Sequence, residues 1–146
     1  MEELVQSVIV LHFSATVFMT GVIWFVQIVH YPLFAKVPVD AYPAYERQHQ
    51  RLTTFVVAPA MVIELLSGAW LAHFLSDFRN SLLFAASGAV LIVVWLSTFF
   101  IQVPCHQSLT EKFSQQVHRK LVLSNWVRTI GWTVRSIALA IFVFKL

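Results

Sequence analysis

Four apolar runs, at about residues 4–31, 52–76, 81–104 and 120–144, take up most of this chain. Each exceeds or matches the roughly 20 helical residues that cross a hydrocarbon core. A backbone in lipid must satisfy its own polar groups, so isolated runs of this length are restricted to helices. The connections, about 20 residues, a handful and about 15, leave no stretch for a soluble domain. The expectation is all-α: one domain over 1–146, a four-transmembrane-helix bundle running up-down-up-down. Composition agrees, with 58% hydrophobic and 12% charged residues and a mean hydropathy of +0.74, values of an integral membrane protein.

The first run lacks the basic start of a signal peptide, opens with Glu2 and Glu3, and stays apolar too long for one. It reads as a retained helix. Cys105 is the sole cysteine, which excludes an intramolecular disulfide and any multi-cysteine metal or iron–sulfur site. With four glycines and no glycine-rich phosphate loop, nucleotide binding has no motif to rest on.

Charge sets the orientation. The loop after the first run and the loop after the third share one face and carry Lys36, Arg47, Arg51, Lys112, Arg119 and Lys120; the other face has Arg79 and Lys145. Positive residues are retained in the cytoplasm, so both long loops are expected there and both termini outside, in an inner or plasma membrane. The net charge of +3 is thereby a topology signal and implies no nucleic acid. The expected partners are the lipid bilayer and a hydrophobic small molecule, and the helices leave room for a homo-oligomer.

Polar residues concentrate at the loop-bearing end. Gln27, His30 and Tyr31 close the first helix there, Tyr45, His49 and Thr53 open the second, Gln102 and His106 close the third, and Asn125 and Arg128 open the fourth. At about 100° per residue, Asn125, Arg128, Thr129, Trp132, Arg135 and Ser136 form one stripe, and His49, Thr53, Glu64 and Ser67 another. Both stripes belong inside the bundle. Glu64 lies mid-helix between the depths of Arg128 and Arg135, so an ion pair with one of them is expected. The other arginine then serves an anionic or enolate-like group; the alternative is that the pair only fixes helix register.

His30, His49 and His106, from three helices, are candidate ligands for copper, zinc, iron or haem iron. His118 is expected in an exposed loop. His12 and His73 form a second pair at the far end, which raises a b-type haem alternative; the rise of about 27 Å from His12 to His30 and the few glycines count against two stacked macrocycles. Most aromatic residues are expected to fill the bundle or mark its interfaces. Trp24, Tyr31, Tyr45, Trp126 and Trp132 are near enough to the polar end to line a pocket for a planar substrate. Pro104 is expected to bend or end the third helix before His106, and Pro59 to kink the second.

Five stretches carry a resemblance: "GVIWFVQIVHYPLF" (21–34), "AYPAYERQHQR" (41–51), "APAMVIELLSG" (58–68), "FIQVPCHQSL" (100–109) and "NWVRT" (125–129). In this order they resemble the bacterial and fungal four-helix membrane proteins grouped with anthrone oxygenases. That family's third helix ends in an "NVPLN"-like turn and its fourth opens on "NHVRT"; here His106 stands for the Asn and Trp126 for the His. The resemblance implies an oxygenase or related oxidoreductase acting on a flat, hydrophobic phenolic or quinone-like molecule. A histidine, His49 first, would take a proton, Arg128 would hold the resulting anion beside Asn125, and dioxygen would react with the carbanion, with or without a metal. The other readings are a proton, anion or small-molecule carrier using Glu64 and the arginines, and a bundle whose polar groups only lock packing.

Overall fold

The computed structural model describes residues 2–144; Lys145, counted above for charge, lies outside them. Four helices are long and apolar enough to cross a bilayer: α1 (Glu2–Phe34), α2 (Tyr42–Phe74), α3 (Leu82–Glu111) and α4 (Gln115–Val143). A single helical turn, Ser76–Arg79, joins α2 to α3, and no strand occurs among the described residues. The fold is the all-α four-helix bundle.

The helices outrun the apolar segments. α2 starts at Tyr42, about ten residues before its apolar run, with Pro43 in its first turn, where the missing N–H is not needed. α3 continues to Glu111, and α4 starts at Gln115, where the Ser114 side chain accepts from Val117 N–H. The expected long loops therefore shrink to residues 35–41 and 112–114. At 33 residues, α2 is about 50 Å long against a hydrocarbon core of about 30 Å, so the polar end of the bundle stands as helix beyond the apolar layer.

α1 and α3 each carry one π turn, Val26–His30 and Thr98–Gln102. Tyr31 N–H donates to the Val26 carbonyl and Val103 N–H to that of Thr98, and each is followed directly by a proline, Pro32 or Pro104. A proline cannot donate to the carbonyl four residues back and its ring presses on it; widening that turn relieves both. Pro104 therefore does not end the third helix before His106, and α2 runs on through Pro59.

Packing goes round three sides of a square. α1 lies along α2 and α4, and α4 along α3, while α2 meets α3 mainly through Val103–Glu111 at the polar end and the Ser76–Arg79 turn at the other. Between these points α2 and α3 stand apart. Along the three packed seams the core has a middle cluster around Met19, Ile23, Met61, Val94 and Trp132, with aromatic clusters above and below it. Gly131 lets α4 approach α3: a Cβ there would stand 2.7 Å from Val94 Cγ2. Phe55, Phe100 and Leu82, among the most exposed apolar side chains, point outward, as lipid-facing residues do.

Candidate functional site

The two buried arginines of α4 have different fates. Arg135 Nη2 donates to Glu64 Oε1 at 3.1 Å, and its Nη1 donates to the Ser87 carbonyl and hydroxyl. Thr16 donates to the same Glu64 oxygen at 2.6 Å, and Trp132 Nε1 to the other at 2.9 Å. One carboxylate thus ties all four helices together, and the pair Glu64–Arg135 is shielded from solvent. Arg128, two turns away, forms no ion pair with Glu64. Its guanidinium lies over the Trp132 ring at 5.5 Å, and its Nε is buried without a partner.

The far end holds no paired histidines. His12 is buried against Ser67 (2.9 Å), in a space that Gly68 keeps open: a Cβ there would lie 3.0 Å from His12 Cε1. His73 is exposed, so the two do not converge on a haem.

At the polar end the side chains do converge. His106 Nδ1–H donates to Glu46 Oε1 at 2.6 Å, and its Nε2 meets the Tyr31 hydroxyl at 3.1 Å. His49 Nδ1 lies 2.9 Å from His30 Nε2 and 3.1 Å from Thr53 Oγ1, and the His49 and His106 rings are 5.5 Å apart. Glu46 is 0% exposed; Gln50 Nε2 approaches its Oε1 at 3.4 Å, and its Oε2 has no partner. One ligand atom each from Glu46, His49 and His106 falls within 4.8 Å of the others. His30 is outside that group and instead buttresses His49, so the set of donors differs from the three histidines expected. The 2.9 Å between His30 and His49 leaves no space for a macrocycle between them.

A cavity of about 380 Å³ fills the gap between α2 and α3. Tyr31, His49, Gln102, His106 and Arg128 line it among apolar neighbours that include Met61, Trp95 and Phe99. Gln102 Oε1 and Trp95 Nε1, like Arg128 Nε, are buried without partners. His49 also borders a second cavity of about 490 Å³ between α1 and α2, which His30 and Tyr45 help to line.

Of the residues picked from sequence, Tyr31, His49, His106 and Arg128 therefore share the first cavity, and His30 and Tyr45 the second. Five others require correction. Trp24 and Trp126 do not line either cavity; they stack edge-on at 5.7 Å, with Trp24 Nε1 donating to Thr133. Trp24 and Tyr31, seven residues apart, would share a face of an ideal helix, but the intervening π turn rotates Tyr31 inward. Asn125 is buried and donates to Gln27 Oε1 at 2.9 Å, away from the cavity lining. Trp132 sits behind Arg128 as its stacking plate. His118, expected exposed, is buried in α4 and donates through Nε2 to the Tyr31 carbonyl at 3.0 Å, because α4 begins before it.

Glu46 was missed. Its signal is the i, i+3 spacing from Glu46 to His49, which puts both on one helical face once α2 starts early enough to include them. No protein-family model, curated protein or solved structure matches the chain.

Proposed function

We propose that this protein is a membrane-embedded oxidoreductase of the oxygenase type, acting on a flat, lipid-soluble phenol or enolisable ketone. One observation carries the reading: Arg128, a buried cation with no carboxylate partner among the described residues, lines an apolar cavity beside two histidines and a tyrosine. A buried guanidinium without a counter-ion is costly, and a bound phenolate or enolate supplies one. The volume, about 380 Å³, is of the size that takes a small planar ligand. The separation of α2 from α3 lets such a molecule arrive from the bilayer.

In this reading the apolar rings lie among Met61, Trp95 and Phe99, and the oxygen points to Arg128. His49, whose Nδ1 is held by His30 and Thr53, takes the proton as general base, and Arg128 stabilises the anion that forms. At an activated methylene, dioxygen is the oxidant. The carbon gives up two hydrogens and four electrons and keeps one oxygen atom as a carbonyl; the second oxygen atom leaves with the hydrogens as water. Metal binding at the histidines belongs to the same reading. The carrier alternative has less support, because the carboxylate it would use, Glu64, is closed by three donors.

Oxygen consumption by the detergent-purified protein with anthrone tests this. Turnover above the protein-free rate is expected, falling on the order of 100-fold in Arg128→Gln. A wild-type rate no higher than the blank would remove the oxygenase reading.

A further inference from the structure

The geometry points to a mononuclear site for a divalent first-row transition ion, of the Fe(II) to Zn(II) class, held by Glu46, His49 and His106. The ligand set stands on geometry alone; what the ion does for a substrate rests on the oxidoreductase reading above.

The donors are two imidazoles and one carboxylate, the combination used for non-haem Fe(II) and for catalytic Zn(II). They come from α2 and α3, where those helices meet at the polar end of the gap, and their ligand atoms lie within 4.8 Å of one another. His106 Nδ1 and Glu46 Oε1, at 2.6 Å, share a proton that an ion would replace. Two atoms bound at about 2.1 Å to one ion stand roughly 3 Å apart at right angles, so the exchange needs only a small opening.

A second observation points the same way. Glu46 is fully buried, yet its Oε2 has no hydrogen-bond partner, and no lysine or arginine among the described residues pairs with it. A dry carboxylate oxygen with no donor is a heavy penalty unless a cation completes it.

The outer partners are also in place. A ligating imidazole normally has its other nitrogen fixed by a neighbour. His49 Nδ1 is held by His30 and Thr53, leaving Nε2 free to bind; His106 Nε2 is held by the Tyr31 hydroxyl, leaving Nδ1. His30 is thus a positioning residue. With His49 and His106 both lining the cavity, the open positions of the ion face the place proposed for the substrate oxygen. An ion there would accept that oxygen and lower its proton affinity directly, relieving His49 of the role of base.

The test is metal binding by the full-length protein in mild detergent, stripped with chelator and titrated with Co(II), Zn(II) or anaerobic Fe(II), with Mg(II) as a control. One ion per chain is expected, with visible Co(II) bands of a nitrogen and oxygen site. Glu46→Gln and His49→Gln should each abolish it while the helical circular dichroism is retained. His30→Gln should weaken it roughly 10- to 100-fold. Failure of all three transition ions to bind, or binding that survives both Glu46→Gln and His49→Gln, would overturn the site. Phenol binding measured on the same stripped protein separates the two ideas: if it persists without metal uptake, the ion site fails and the cavity reading stands.

Discussion

At the scale of single residues, the decisive difference is between two arginines of one helix. Depth along the helices brought Glu64 level with both, and a choice between them was not legible, because it depends on the side-chain partners. Ser87 on α3 and Thr16 on α1 complete the Arg135–Glu64 cluster, whereas Arg128 has the Trp132 ring and the Tyr31 side chain beside it and no carboxylate partner among the described residues. Removing one member of a buried pair strands the other charge, at a cost of about 3–5 kcal/mol. Glu64→Gln should therefore lower the thermal unfolding midpoint in detergent far more than Arg128→Gln does. Equal midpoints for the two variants would mean that Glu64 is not the clasp. Glu46 escaped the sequence reading for a different reason: flanked by Tyr45, Arg47 and Gln48, it reads as loop on hydropathy, and only the early start of α2 makes it an interior group.

At the scale of elements, hydropathy located the four spans well and their ends poorly, because it reports what lies in lipid, and these helices continue into water. The two π turns were also hidden. Phase counted at about 100° per residue slips by one residue across each turn, and nearness to the polar end, the ground on which Trp24 and Tyr31 were grouped, does not tell which of them faces inward. The sequence cue is the proline that follows each turn, and Pro104 was read as a bend or a stop. If the π turn exists to accommodate that ring, Pro104→Ala should let the turn relax toward α and swing His106 away from Glu46. The measurable outcome is loss of Co(II) binding with little change in helical content. Retained binding would show that tertiary contacts, and not Pro104, hold the turn open.

At the scale of the whole molecule, the bundle is packed on three seams and parted on the fourth. That gap is the property no linear pattern reveals, since helices this evenly apolar give no sequence sign of which neighbours they meet. It brings together residues from every helix: Tyr31 from α1, His49 from α2, Gln102 and His106 from α3, Arg128 from α4. The six basic residues of the polar end, Lys36, Arg47, Arg51, Lys112, Arg119 and Lys120, are all exposed at that end. In the proposed function, a substrate dissolves in the membrane, slides between α2 and α3, and presents its oxygen toward the polar end.

The central claim is that Arg128 awaits an organic anion in this gap. Its most direct test is equilibrium binding of naphthol against naphthalene, two ligands of the same shape, followed by quenching of tryptophan fluorescence, to which Trp95 in the cavity wall contributes. Naphthol should bind the wild type more tightly, and Arg128→Gln should remove roughly 10- to 100-fold of that affinity while leaving naphthalene unaffected. Equal affinity for the two ligands, or a naphthol affinity indifferent to Arg128→Gln, would contradict the account.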